Sequence, residues 1–368
     1  MDISGRLNAA VDAALGSRIV GCVVLVEQHG KRIFSRAAGL ADREAKIPVV
    51  ENTIFRLASC TKPIVATAVL VMADKGLLSL DDPVTRFLPY ITPKGPDGTT
   101  PTITLRQLLS HSSGISYMSP APDVSRGLGP DPIITLEENM RRLGHSELAF
   151  MPGTAWEYGM SIDVLAAVIA AINGDVNDVE GALRKYVTGP LGMDDTHFYV
   201  DDPSRLSPAY ADAKPVPLRM AEPQEVRDPD DPNRVEIFSP QRIFNRAVPQ
   251  SGGAGMAGSA GDFMKLLEAW RARKLLRPET VSAACSNQIG GLDRPLDPGQ
   301  KFGFVGAVIE DAKASGWPKK GMVHWGGIWG NNRIVDPETE TNVVVMTNTM
   351  REGCNGPFRE EIRDAVFP

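Results

Sequence analysis

Cysteine is scarce in this chain, and its few copies are spread thin. Cys22, Cys60, Cys285 and Cys354 are the full set, and no C-x-x-C pair occurs, which argues against a zinc ribbon or a redox motif. Scattered single thiols point to a reducing, cytoplasmic setting rather than a disulfide framework. Histidine is also rare, with 5 copies and no H-E-x-x-H or comparable metal spacing, so no metal and no cofactor are expected. No stretch approaches the roughly 18 apolar residues of a membrane span. The opening residues, Met1-Asp2-Ile3-Ser4-Gly5-Arg6, lack a charged region followed by an apolar core, so no signal peptide is expected either. Positive charge is in deficit: 39 Lys and Arg against 45 Asp and Glu give a net charge of −6. Without a basic run, nucleic acid is a poor partner. Internal repeats and low-complexity tracts are missing as well.

What is present is ordinary globular usage, 42% hydrophobic and 23% charged over 368 residues, which suits one large domain or two interlocked lobes. Residues 4–16 space Leu7, Val11, Ala14 and Leu15 along one helical face. Gly21 to Val26 is a dense β-branched run; His29-Gly30 marks a turn, and Arg32 to Ser35 continues as a second strand. Near the other end, Gly303–Glu310, Gly321–His324, Asn332–Asp336 and Asn342–Thr347 read as strands. Pro337–Glu340 supplies a turn between the last two, and Pro357–Val366 reads as a closing helix. Between the ends, Leu105–Leu109, Asp163–Ile172 and Val179–Val187 read as helices. A single sheet assembled from both termini, with a helical region inserted, is the economical arrangement. It implies an α/β lobe from residues 1–58 and 290–368, a mostly helical lobe over 59–289, and a cleft between them. Residues 203–250, rich in Pro, Asp and Arg, read as a long loop that is either a mobile surface or a wall of the site.

The most informative stretch is Ser59-Cys60-Thr61-Lys62. Residues three apart share a helical face, so the serine hydroxyl and the lysine ammonium can meet one turn apart. Serine needs an adjacent base to act as a nucleophile, and a buried lysine can take that role. Pro63 suits a first helical turn. Cys60 points about 100° away around the helix and reads as a buried thiol. A second element, Gly153 to Met160, places Trp156 and Tyr158 on a loop, with Ser161 as the expected cap of the following helix. A lysine nearby favours phenolate, which lowers the pKa expected of Tyr158. The third element is His324-Trp325-Gly326-Gly327-Ile328-Trp329-Gly330. Adjacent glycines at a strand edge allow close backbone approach and can expose an N–H to an oxyanion. Gly258-Ser259-Ala260-Gly261 approaches the G-x-S-x-G elbow, but residue 257 is Ala and no strand–turn–helix context is evident.

Taken in order, Ser59-x-x-Lys62, Tyr158 and the C-terminal glycine motif resemble the serine β-lactamase and penicillin-binding protein superfamily. Gly76 to Val84, Leu108 to Ile115, Pro152-Gly153, Gly189 to Met193 and Ser251 to Met256 fit its other segments, so the resemblance runs from about residue 19 to the C-terminus. It implies an α+β, β-lactamase/transpeptidase-like fold, an antiparallel sheet flanked by helices. Two departures discriminate within the superfamily. Met160 stands where lactamases and peptidases have the asparagine of Tyr-x-Asn. His324-Trp325-Gly326-Gly327 replaces Lys-Thr-Gly, with either His324 or Trp325 in the lysine position and Trp325 preferred. Trp-Gly-Gly resembles the variant of family VIII carboxylesterases.

The resemblance therefore implies hydrolysis of short-acyl esters, small molecules, through an acyl-enzyme on Ser59. Lys62 and Tyr158 would handle the proton, with the base left open between them. Backbone N–H groups of Ser59 and Ile328 would form the oxyanion hole. His324, Trp325, Gly326, Gly327 and Trp156 would contact substrate. A β-lactamase, a D-alanyl-D-alanine peptidase or amidase, and a non-catalytic penicillin-binding-like sensor are the alternatives.

Overall fold

The computed structural model describes residues 2–118, 123–227 and 235–368. Its centre is an eight-stranded antiparallel sheet. In spatial order the strands are Gln300–Phe302, Ala307–Ile309, Val323–Gly327, Asn331–Asp336, Thr341–Thr347, Gly21–Gln28, Lys31–Asp42 and Ile47–Pro48. The first strand in the chain therefore pairs with the last, with Val24 opposite Val345 and Leu25 opposite Val344. The architecture is α+β, as expected.

Side chains alternate across the sheet, so each strand feeds two cores. One face carries Cys22, Val24, Val343 and Val345, and it is covered by the helices Ile3–Ala14 and Pro357–Val366 through Leu7, Val11, Phe358 and Ile362. The other face carries Val23, Leu25, Val344 and Met346, and it packs on the helices Lys62–Asp74 and Ala260–Arg271. Lys62–Asp74 is buried from Lys62 through Met72, because a helix apolar on every side must be surrounded by protein. The helix Ser161–Asn173 packs beside it and is equally enclosed.

Several expected elements differ. Gly303–Glu310 is not one strand: a turn over residues 303–306 separates two short antiparallel strands. Val179–Val187 is an α-helix only to Leu183, and a wider π-type turn follows over Arg184–Thr188. Ser161 does not cap its helix. Met160 holds that position, and Ser161 Oγ instead bonds Ser113 Oγ at 2.9 Å. Residues 203–250 contain small hairpins, Tyr210–Ala211 with Leu218–Arg219 and Gln224–Arg227 with Val235–Phe238. Polar strand residues there obscured any alternation. A strand–helix context does surround Ser259, since Ala257–Ser259 runs straight into Ala260–Arg271. That serine is nonetheless spent as an N-cap, accepting from Asp262 N at 3.3 Å, and is buried. Among the described residues no helix is long and apolar enough to cross a membrane.

Candidate active site

Ser59 lies in a single 3-10 turn, Ala58–Thr61, that leads into the buried helix. The strand Ile54–Arg56 pairs with Ala257–Ser259, and Leu57 N donates to Met256 O at 2.8 Å, so the turn is anchored from both sides. Ala58 adopts φ = 44° and is fully buried. A non-glycine residue in this region is strained and persists only where packing imposes it. The result leaves Ser59 partly exposed at the head of an otherwise enclosed helix.

Lys62 Nζ donates to Ser59 Oγ at 3.3 Å, to Tyr117 OH at 3.0 Å and to Gly253 O at 2.7 Å. It also lies 4.5 Å from the centroid of the Tyr158 ring. The three side chains singled out in the sequence, Ser59, Lys62 and Tyr158, are thus neighbours. Burial pushes the Lys62 ammonium down to about 8, against an opposing pull from Asp163 and Cys60. Burial drives Tyr158 the other way, well above the ordinary phenol value, while hydrogen bonds with Ser59 and Trp325 pull it down. The expected fall of the Tyr158 pKa is therefore corrected: the enclosed site penalises phenolate more than its partners reward it. At neutral pH this tyrosine is a phenol.

The strand Val323–Gly327 brings up the third motif. Trp325 Nε1 donates to Tyr158 OH at 3.1 Å, and the two rings lie 5.0 Å apart. Gly327 meets the nucleophile's turn so closely that an added Cβ would stand 2.1 Å from Leu57 O and 3.3 Å from Cys60 N. Only glycine fits there. Ile328 follows directly on this strand, and its side chain joins Ala58 in one apolar cluster. Trp156 is partly exposed and lies 5.4 Å from Phe302.

His324 does not join Trp325 at Tyr158. It pairs with Ile334 while Trp325 pairs with Arg333, so alternation turns the two side chains to opposite faces. His324 is buried against Trp317, with ring centroids 4.0 Å apart, and its Nε2 bonds Gln300 Oε1 at 2.9 Å. Of the two candidates for the lysine position, it is Trp325 that faces Tyr158, so His324 is not placed to contact a substrate there. Met160 is fully buried.

Tyr117, Asp163 and Arg294 were not singled out in the sequence. Tyr117 follows the Ser113-Gly114-Ile115 segment, with no spacing to mark it. Asp163 did carry a signal, as a lone acid in the strongly apolar run Ile162–Ile172. It is buried, accepts from Ser251 Oγ at 2.6 Å and from Gly253 N at 3.1 Å, and so fixes the residue whose carbonyl holds Lys62. Burial raises its pKa, and Lys62 lowers it. Residues 203–250 reach the site at their end: Phe238 packs edge-on against Trp329 at 5.4 Å, in an apolar cluster with Ala58, Leu128 and Ile328.

A family profile described as Beta-lactamase matches residues 7–366. Esterase EstB of Burkholderia gladioli is 42% identical over 375 residues, covering 99% of this chain and 95% of that protein. Lovastatin esterase of Penicillium rubens is 27% identical, covering 87% of this chain and 86% of that protein. Among solved structures, "EstCE1, a hydrolase with promiscuous acyltransferase activity" superposes with a TM-score of 0.95 at 36% identity, covering 100% of this chain and 98% of that one.

Proposed function

The chain belongs to the β-lactamase family, and on that premise we propose that it is a serine carboxylesterase of the family VIII type, acting on short-acyl esters of small molecules. One observation carries the choice of ester over lactam: the position that holds a lysine in lactamases is occupied by Trp325, whose indole N–H is spent on Tyr158 OH at 3.1 Å. A lactam carboxylate finds no ammonium there. Esters need less help to expel their leaving group than amides do, so such a site still serves them. The esterases among the relatives support the same reading.

The mechanism follows from the proton inventory. Lys62, with a pKa near 8, is partly neutral at working pH and takes the Ser59 proton as Oγ adds to the ester carbonyl. Backbone N–H groups of Ser59 and Ile328 hold the oxyanion. Tyr158, kept as a phenol, gives its proton to the departing alcohol and is resupplied by Lys62. Water retraces the route and frees the acid. Tyr117 and Gly253 O hold the lysine in line. Trp325, Gly326, Gly327 and Trp156 border the substrate. The cleft is read as lying between the part built from both termini and the helical part, and the four free thiols support a cytoplasmic setting.

The test is turnover of p-nitrophenyl butyrate by wild type and Ser59→Ala, with nitrocefin in parallel. Ser59→Ala is expected to lose turnover while retaining its fold by circular dichroism. Retention of most activity overturns the assignment. Nitrocefin turned over faster than esters replaces it with a lactamase, and stoichiometric labelling without turnover replaces it with a sensor.

A further inference from the structure

The mechanism places Trp325 and Trp156 at the border of the substrate without saying which half of the ester they meet. Trp325 is pinned by its bond to Tyr158 OH. Phe302 stands edge-on to it, with centroids 5.1 Å apart at 88°, and Trp156 lies 5.4 Å beyond Phe302. The Arg294 guanidinium sits 4.4 Å from the Trp156 centroid, 5.6 Å from Phe302 and 5.7 Å from Trp325. Asp297 holds its far end at 2.8 Å. Phe302 and Arg294 are buried, while Trp156 and Trp325 remain partly exposed. The Trp325 donor and the Arg294 cation are engaged, while Trp156 Nε1 is buried without a hydrogen-bond partner, so what the two partly exposed tryptophans offer is chiefly ring surface.

Position tells which half of the ester meets it. The departing oxygen must lie beside the Tyr158 hydroxyl to receive its proton. Trp325 adjoins that hydroxyl, and Trp156 lies further along the same side. The apolar cluster of Ile328, Trp329, Leu128 and Phe238 packs with Ala58 instead, which leaves that side for the acyl half.

We propose that Trp325 and Trp156, backed by Phe302 and Arg294, form an alcohol-side subsite that selects aromatic alcohols, both as leaving groups and as acyl acceptors. The proposal rests on the Ser59–Lys62–Tyr158 reading. The acceptor half follows from microscopic reversibility. An alcohol seated on the wall adds its oxygen to the acyl carbonyl, and its proton passes to Tyr158 as Tyr158 passes its own to Lys62. The bond to Ser59 Oγ then breaks, Oγ regains a proton from Lys62, and the new ester leaves. No other reactant is needed. An offset or edge-on ring contact favours an aromatic over a saturated ring of equal size by about 2- to 13-fold for each indole engaged.

The experiment compares benzyl acetate with cyclohexylmethyl acetate. Both give the same acetyl-enzyme, so only the alcohol side differs. The ratio of their kcat/KM values is normalised to their hydroxide-catalysed rates and measured on wild type and Trp156→Leu. It does not depend on how much of either preparation is folded. A wild-type ratio of about tenfold that shrinks at least threefold in Trp156→Leu is expected, and benzyl alcohol should intercept the acetyl-enzyme formed from vinyl acetate with the same preference over cyclohexylmethanol. A wild-type ratio near one, or a ratio that Trp156→Leu leaves unchanged, overturns the subsite. Failure of the underlying reading shows separately, as Ser59→Ala still cleaving both acetates.

Discussion

Replacing Gly327 by alanine tests the contact that ties the sheet to the nucleophile. The new Cβ would lie 2.1 Å from Leu57 O, roughly 1 Å inside the shortest ordinary carbon–oxygen contact. Leu57 O cannot retreat freely, because it also accepts from Cys60 N at 3.0 Å within the turn that carries Ser59. The strand end must therefore move outward and carry Ile328 with it. Ser59 N–H and Ile328 N–H would sit on opposite sides of the widened gap, and a displacement of about 1 Å is enough to cost about 100-fold in rate. Loss of one oxyanion donor costs a similar amount, about 100- to 1,000-fold. The stability cost is that of an overpacked interior, about 1–3 kcal/mol, so most of the protein stays folded. The assay is kcat for p-nitrophenyl butyrate per active site, counted by covalent labelling of Ser59, alongside urea unfolding. A fall of about 100-fold per labelled site is expected. A folded Gly327→Ala protein that keeps kcat within threefold of wild type would falsify the placement of the oxyanion hole between Ser59 and Ile328.

Two further outcomes rest on titration. With Lys62 as the base, kcat/KM should rise with pH through about 8. The groups packed around that lysine are Tyr117, Tyr158, Cys60 and Asp163, and the only carboxylate among these is Asp163, whose negative charge supports the ammonium. Asp163→Asn should move the acid limb to lower pH, by roughly one unit, whereas Ser251→Ala, which removes a hydrogen bond but keeps the charge, should not; an unmoved limb in Asp163→Asn refutes the coupling. Separately, Glu180 raises His197 to about 9 through a 2.5 Å contact, against the desolvation that lowers it. A folded pKa above the unfolded value of about 6.5 stabilises most below that pH, and the benefit is lost as pH rises through about 9. The pair is half-exposed, so its contribution is under about 1 kcal/mol. The urea midpoint of wild type should exceed that of His197→Gln at pH 6, with the gap closing by pH 10; a constant gap refutes the linkage.

Local patterning carried much of the fold. Gly21 to Val26, Asn342 to Thr347 and Pro357 to Val366 appear as the elements their periodicity and punctuation indicate, because strongly apolar strands and an amphipathic helix opened by proline have few alternatives. Where polar residues broke the alternation, in 203–250, the strands were invisible, and the apolar run Gly303-Phe304-Val305-Gly306 hid a turn between two strands. Trp325 and His324 show the limit most clearly. Adjacent in the chain, they were both candidates for one position, and only the pairing register of Val323–Gly327 with its neighbour turns one to Tyr158 and the other to Trp317. Asp163 was marked by its apolar surroundings, yet its task depends on Ser251 and Gly253.

The chain by itself determined which chemistry is on offer: a serine one turn from a lysine, a tyrosine on a loop, a tryptophan in place of a lysine, and glycines at a strand edge. These are matters of residue type and short spacing, which local geometry translates directly. Tertiary structure decided the protonation states and the company each group keeps. Lys62 and Tyr158 are pushed in opposite directions by the same burial, and Tyr117 and Arg294 join the site from segments that are remote along the chain, while Asp163 acts through Ser251 and Gly253. Desolvation and long-range contact are properties of the packed interior, and no stretch of sequence contains them.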